Sequence, residues 1–347
     1  MDRRRCLAVA AGAALGQWAG RRAEAQESGA FSGRVYLAVG PGGQRMVSSD
    51  GMHWTNHISW GEPYHDQNDL NVTGFFRGAA FVGGGYSIAR MTATRDGKTW
   101  RDGVLPKGTP IFGLEVLNDA LFAVDLRGQV YRTADGEAWE SIGKAQMPTP
   151  THWIRGTVIG NGILLGSGDY GPAMAFDPKS GKVSVTQMAG QVDKQPGLRR
   201  TAFGNGAFVV GGQAGLLATS TDGVEWRNNE VHPERGNITC VIWTGTEFLA
   251  MTDQKQAWRS ANGADWAPRP GDAPPRQMVR AGKYLYGWSY PPTQVSRSLD
   301  GVAWEKVPNE KEFHVKHVAV GTLSGGAPPN IPDGPVPWAG MKPKPKA

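Results

Sequence analysis

His152 stands beside Trp153 and three residues before Arg155, and Asp169-Tyr170 follow after one apolar segment. Together these are a base, an aromatic platform, a guanidinium and a phenol. A guanidinium grips carboxylate, sulfate or phosphate through a two-pronged hydrogen bond. A His or Tyr can remove a proton beside a neutralised carboxylate and return one to a leaving oxygen. Other cations occupy related places. Aligning apolar segments on their Gly-Asn-Gly turns brings Arg199/Arg200, Thr239/Cys240 and Lys316/His317 into register with Arg155/Gly156, and Arg276 joins them. The ligand-binding candidates are therefore Arg155, Arg199, Arg200, Arg276, Lys316, His317 and Trp153, and the catalytic candidates are His152 and Tyr170. The same charges also permit a second arrangement, in which each cation pairs with an Asp or Glu of an adjoining segment and no anion site forms.

The longest loop adds His57, Trp60, Tyr64, His65, Asp66, Asn68 and Asp69, of which His65 and Asp66 are taken as ligand-binding candidates. The spacing of His57, His65, Asp66 and Asp69 matches no defined metal site, so no metal is expected. Phosphate-loop, Gly-x-Ser-x-Gly and dinucleotide-binding patterns are absent, and no cofactor is expected.

The elements that must position these residues are announced by a repeat. A tight turn of the form Ser/Thr-x-Asp-Gly-x-x-Trp recurs at Asp50, Asp96, Asp135, Asp222 and Asp300, with Asn262 in one copy and a degenerate copy around Asp177. Positions 50, 96, 135, 177, 222, 262 and 300 lie 38 to 46 residues apart, close to the roughly 40–45 residues of a four-stranded propeller blade. Each unit also carries an upstream hairpin signal such as Asn205-Gly206 or Asn161-Gly162, because both residues tolerate positive φ. Each unit thus reads as strands a, b, c and d, with the Asn-Gly turn between a and b and the Asp-Gly turn between c and d. The predicted fold is an all-β, seven-bladed propeller of four-stranded antiparallel blades. Arg34–Gly40 reads as a strand b lacking its strand a, while His314–Gly321 is an orphan strand a. Pairing the two termini in one blade closes the ring and removes sheet edges. A glycine count of 49 in 347 residues, with 13 Trp, agrees with a turn-rich β chain.

Over roughly residues 33–322 the turns resemble the Asp-box, or BNR, repeat of the sialidase-like propeller superfamily. The resemblance gives Asp50, Asp96, Asp135, Asp177, Asp222, Asn262 and Asp300 structural roles at the c–d turns and places ligands on the opposite face, which is built from the d–a and b–c loops. A sialidase proper would carry an Arg-Ile-Pro motif, an Arg triad and a Tyr assisted by Glu, and Arg-Ile-Pro is missing here. A propeller-type polysaccharide lyase needs less, and Arg155, Arg200, His152 and Tyr170 are the residues that could play its parts. The chain also resembles the photosystem II assembly-factor type, which implies a non-catalytic platform for a protein partner.

Arg3-Arg4-Arg5-Cys6-Leu7, an apolar run from Ala8 to Leu15 and Ala23-Glu24-Ala25 read as a Tat-like export signal over residues 1–25. The propeller then spans 26–322, and 323–347 is a Pro- and Gly-rich tail expected to be extended and mobile. Losing the signal lowers the formal charge from +6 to +3, far from a nucleic-acid footprint. Only Cys240 then remains, in an apolar segment that suits a core residue. The expected protein is periplasmic or secreted, monomeric and not membrane-inserted. Its loop-rich face binds an anionic ligand, a carbohydrate in the first reading. The alternatives are a lyase or sialidase-like glycosidase acting on an acidic glycan, and an assembly or scaffold factor for a periplasmic protein.

Overall fold

A computed structural model describes residues 30–60, 68–85, 87–190, 200–270, 274–289, 294–308 and 314–334, without the Arg200 side chain. The export-signal assignment and the candidates His65, Asp66 and Arg199 therefore lie outside the described residues.

Seven antiparallel sheets form a closed seven-bladed propeller. Blade 4 is a complete example: strand a is Trp153–Gly160, b Ile163–Asp169, c Pro172–Asp177 and d Lys182–Gln187, hydrogen-bonded in that order. Blade 5 has three strands, its outer edge held by a single bridge between Thr219 and Arg227. The strands a lie against one another in chain order around the axis, and His317–Leu323 closes the circle between Gln277–Ala281 and Leu70–Phe76. Closure follows the expected scheme. His317–Leu323 pairs with Gly33–Val39 from Val39↔His317 to Gly33↔Leu323, so the two ends of the chain share blade 1.

Local chemistry explains the hairpins. Asn161 and Gly162 have φ of 47° and 79°, Asn205 and Gly206 46° and 74°, which is the positive pair a two-residue hairpin turn requires. The c–d turns are built from side chains. In blade 1, Ser48 Oγ donates to Asp50 Oδ1 at 2.9 Å, the N–H of Gly51 donates to Ser48 Oγ, and the N–H groups of Met52 and His53 donate to Asp50 Oδ1 at 2.8 and 2.9 Å. Thr94/Asp96, Thr133/Asp135, Ser220/Asp222, Ser260/Asn262 and Ser298/Asp300 repeat the arrangement.

The core is divided into seven apolar clusters, one at each interface between adjacent blades. Strands b, such as Ala79–Gly84 and Ala207–Gly211, are buried throughout, because sheets cover both of their faces. Six half-buried turn tryptophans, Trp54, Trp100, Trp139, Trp226, Trp266 and Trp304, pack into six of these clusters.

Two expectations need correction. Asp177 is not equivalent to the other turn aspartates. Register places Phe176 opposite Leu164 as Ser220 stands opposite Phe208, so Asp177 falls one position short of Asp222. Its carboxylate instead accepts the Lys179 N–H at 2.9 Å and the Ser180 hydroxyl at 2.7 Å. The first part of the tail is also packed. Ser324 and Gly325 donate backbone hydrogen bonds to Gly78 and Arg95, Pro332 O accepts from Val104 N–H at 3.0 Å, Arg101 pairs with Asp333, and Ile331 is fully buried in the cluster between blades 2 and 3. Residues 324–333 thereby cover the outer edge of blade 2, whose unpaired backbone groups would otherwise be exposed.

Candidate functional site

On the face carrying the d–a and b–c loops, a cavity of about 660 Å³ opens over the axis, lined among others by Asp69, Asn71, Phe112, Arg127, Trp153, Arg155 and Lys316. It shares Asn71, Phe112 and Arg155 with a narrower section of about 330 Å³ that descends between the strands a past Thr73, Glu115, Thr157, Arg280 and His317. Together they form a funnel.

A repeated backbone irregularity builds its rim. In blade 4 the pairing jumps from Ile154↔Gly168 to Gly156↔Ser167, leaving Arg155 as the extra residue. Asn71, Phe112 and Thr239 are extra at the corresponding places of blades 2, 3 and 6. Bulges of this kind re-aim a side chain away from the regular pleat. By register, the same position in blades 1 and 7 belongs to Lys316 and Arg276.

Arg155 is held on three sides. Its Nε donates to Asp169 Oδ2 at 2.7 Å, and its guanidinium carbon lies 5.0 Å from the ring centres of both Phe112 and Trp153. The side chain is 30% exposed and Asp169 7%, so the pair is anchored in protein and opens onto the cavity. The terminal nitrogens of Arg155 make no hydrogen bond among the described residues. Lys316 Nζ pairs with Asp69 across the interface between blades 1 and 2. Arg127 reaches the rim from the b–c loop of blade 3, where it donates to Pro150 O. That loop is organised by buried Asp125, which accepts the N–H groups of Thr109, Arg127 and Gln129 at 2.8 to 2.9 Å.

Deeper in the funnel, the Thr157 hydroxyl donates to Glu115 Oε1 at 2.8 Å, and burial pushes the Glu115 carboxyl up to about 7 against that hydrogen bond. Asn71 Nδ2 and Thr73 Oγ1 are buried without partners among the described residues and line the same section.

The predicted residues divide accordingly. Arg155, Trp153, Lys316 and His317 converge on the funnel. Arg276 does not line it; its carbonyl accepts the Thr239 hydroxyl at 3.1 Å. His152 is only 6% exposed and its ring stacks on Tyr170, with centroids 5.9 Å apart, while Tyr170 meets the edge of Trp153. His152 therefore packs on Tyr170 and lines neither of the two described cavity sections, which is not the position a general base needs. The cations are also partly compensated, Arg155 by Asp169 and Lys316 by Asp69, which realises part of the ion-paired arrangement allowed by the sequence. Sequence reasoning missed Phe112, Asn71, Arg127, Glu115 and Thr157 as lining residues. The register that found Arg155 also passes through Phe112 and Asn71, but attention to charge passed over them. Among the described residues no group of three metal-ligating side chains occurs, and no helix is long and apolar enough to cross a membrane.

No protein-family model matches the chain, and no curated protein matches it either. Solved structures match in fold. Selenomethionine-substituted virginiamycin B lyase from Staphylococcus aureus is 12% identical, with 75% of this chain and 92% of that one covered and a TM-score of 0.54. YCF48 from Cyanidioschyzon merolae is 16% identical over 77% of this chain and 89% of that one, with a TM-score of 0.51. The computationally designed Ika8 protein is 11% identical over 87% and 95%, with a TM-score of 0.54. Proteins as different as a lyase and a designed protein thus match this chain in fold, which says nothing of activity.

Proposed function

We propose that the funnel binds a carboxylate-bearing ligand, a uronate- or sialate-containing glycan, without chemically altering it. The observation that carries this reading is Arg155, a residue of the cavity lining: its Nε is tied to Asp169, its guanidinium carbon lies 5.0 Å from the ring centres of Phe112 and Trp153, and its terminal nitrogens make no hydrogen bond among the described residues. A guanidinium fixed in this way meets a carboxylate with little loss of rotamer freedom. Arg127 at the rim adds long-range attraction, while the charge of Lys316 is already largely met by Asp69. The cavity has room for one or two sugar rings, within the usual range of ligand sites. Binding is favoured over catalysis because His152 is buried, and the described carboxylates at the rim, Asp169 and Asp69, are engaged by Arg155 and Lys316.

Titration calorimetry with glucuronate, galacturonate and sialyllactose tests the reading, with ultraviolet absorbance followed in the same mixtures. Arg155→Ala is expected to weaken binding about 10- to 100-fold, the worth of a hydrogen-bonded charge pair. Arg155→Lys is expected to restore little of it, because an ammonium lacks the fork. Unchanged affinity in Arg155→Ala sinks the proposal, and unsaturated products would replace it with lyase chemistry. Binding of acidic peptides but no glycan would move the ligand to a polypeptide carboxylate. We also propose export by the segment 1–25; amino-terminal sequencing of the fractionated protein should find mature chains starting near Gln26.

A further inference from the structure

The face opposite the funnel holds a second cavity, of about 310 Å³, between blades 3 and 4, lined by Leu117, Ala120, Phe122, Arg132, Ile142, Phe176 and neighbouring turn residues. Its origin lies in the repeat. In six blades the turn tryptophan lies one residue before the strand-d residue paired with strand c: Trp100 precedes Arg101 (opposite Ala93), Trp139 precedes Glu140 (opposite Arg132), and Trp304 precedes Glu305 (opposite Arg297). Each fills the groove between its own blade and the preceding one. In blade 4 the corresponding pair is Ala175↔Ser184, so the tryptophan position is occupied by Val183.

The cluster between blades 3 and 4 is accordingly the one that contains no indole. Its walls match the neighbouring groove position by position. Phe76, Ala79 and Phe81, which receive Trp139, correspond to Leu117, Ala120 and Phe122. Trp139 meets Phe81 edge-on at 6.1 Å; Phe176, in place of the usual Ser or Thr, leans on Phe122 at 6.0 Å but leaves the cavity open.

We propose that this groove is a binding site for a planar aromatic ring of indole size, supplied from outside the repeat. The equivalent position is filled by an indole at the six other interfaces. Leu117, Ala120, Phe122, Ile142 and Phe176 supply apolar walls, Asn118 also lines the cavity, and Arg132, paired with Glu140 at 3.0 Å, can cover a ring face or meet a ligand carboxylate. The site is separate from the funnel and does not depend on its function.

The test is a titration of the folded protein, followed by methyl and aromatic NMR, with N-acetyl-tryptophanamide and, separately, free indole. Saturable shifts at Phe122, Ile142 and Phe176 are expected. Val183→Trp, which restores the repeat's own indole, is expected to weaken that binding about tenfold or more and to raise the Tm. Leu117→Trp, which fills the groove from the opposite wall, serves the same purpose if the first variant does not fold. Tighter binding of the amide assigns the site to a Trp side chain on a polypeptide, and equal or tighter binding of indole to a free heterocycle. Absence of saturable shifts at these residues, or full binding by a folded groove-filling variant, overturns the proposal.

Discussion

Arg155 owes its place to an extra residue in a strand and its orientation to three neighbours, of which Phe112 belongs to the adjoining blade. Glu115 shows the same dependence. Its carboxyl rises to about 7 because the channel buries it, and its hydrogen bond comes from Thr157 of the next blade. The sign of the consequence follows from linkage. Protonated at higher pH in the folded state than in the unfolded state, Glu115 favours folding at low pH, and that advantage fades as pH rises from the ordinary carboxyl range to about 7. Glu115→Gln should therefore raise Tm little at pH 5 and more at pH 8. An equal change at both values would show that the carboxyl titrates normally. At this scale the alignment on Gly-Asn-Gly turns made the ring of positions containing Arg155, Lys316 and Arg276 legible. It left Glu115 unmarked, because nothing around it in sequence signals burial.

Within a blade, the Asp-Gly turns act as local latches. One carboxylate oxygen accepts two backbone N–H groups, and the hydrogen bonds hold Asp135 and Asp300 below the usual carboxylate range. Such depressed groups support folding above their unfolded pKa, and the support is lost as pH falls through the folded value. Asp222→Ala should cost about 1–2 kcal/mol, similar to loss of a helix cap, since it too removes the acceptor of otherwise unpaired backbone donors. Asp177→Ala should cost less in the same urea titration, because its turn uses another geometry. Equal losses would restore Asp177 to the repeat. The turn and hairpin chemistry was legible because it is contained within a few consecutive residues. The misplacement of Asp177 arose because its copy runs one residue longer between the paired strands, and only the register reveals that.

The whole molecule is a ring closed by its own ends and sealed at one blade edge by residues beyond the last strand. Ile331→Ala should cost about 2–5 kcal/mol, as expected for a fully buried aliphatic side chain, and truncation after Leu323 should cost at least as much. A truncated protein with wild-type Tm would show that the segment adds nothing. The sequence by itself determined the seven repeats, six of their c–d turns, the order of strands and the pairing of the termini, because each rests on local backbone preference or on period. Only the tertiary structure decided that Arg155 and Lys316 meet at one funnel, that His152 lines neither of its sections, that Ile331 is core, and that Val183 leaves a groove without its indole. The place of His152 depends on its stacking with Tyr170 within one blade, and the others on packing between blades, where residues about forty positions or more apart come together through side-chain volume and register; no local pattern encodes either result.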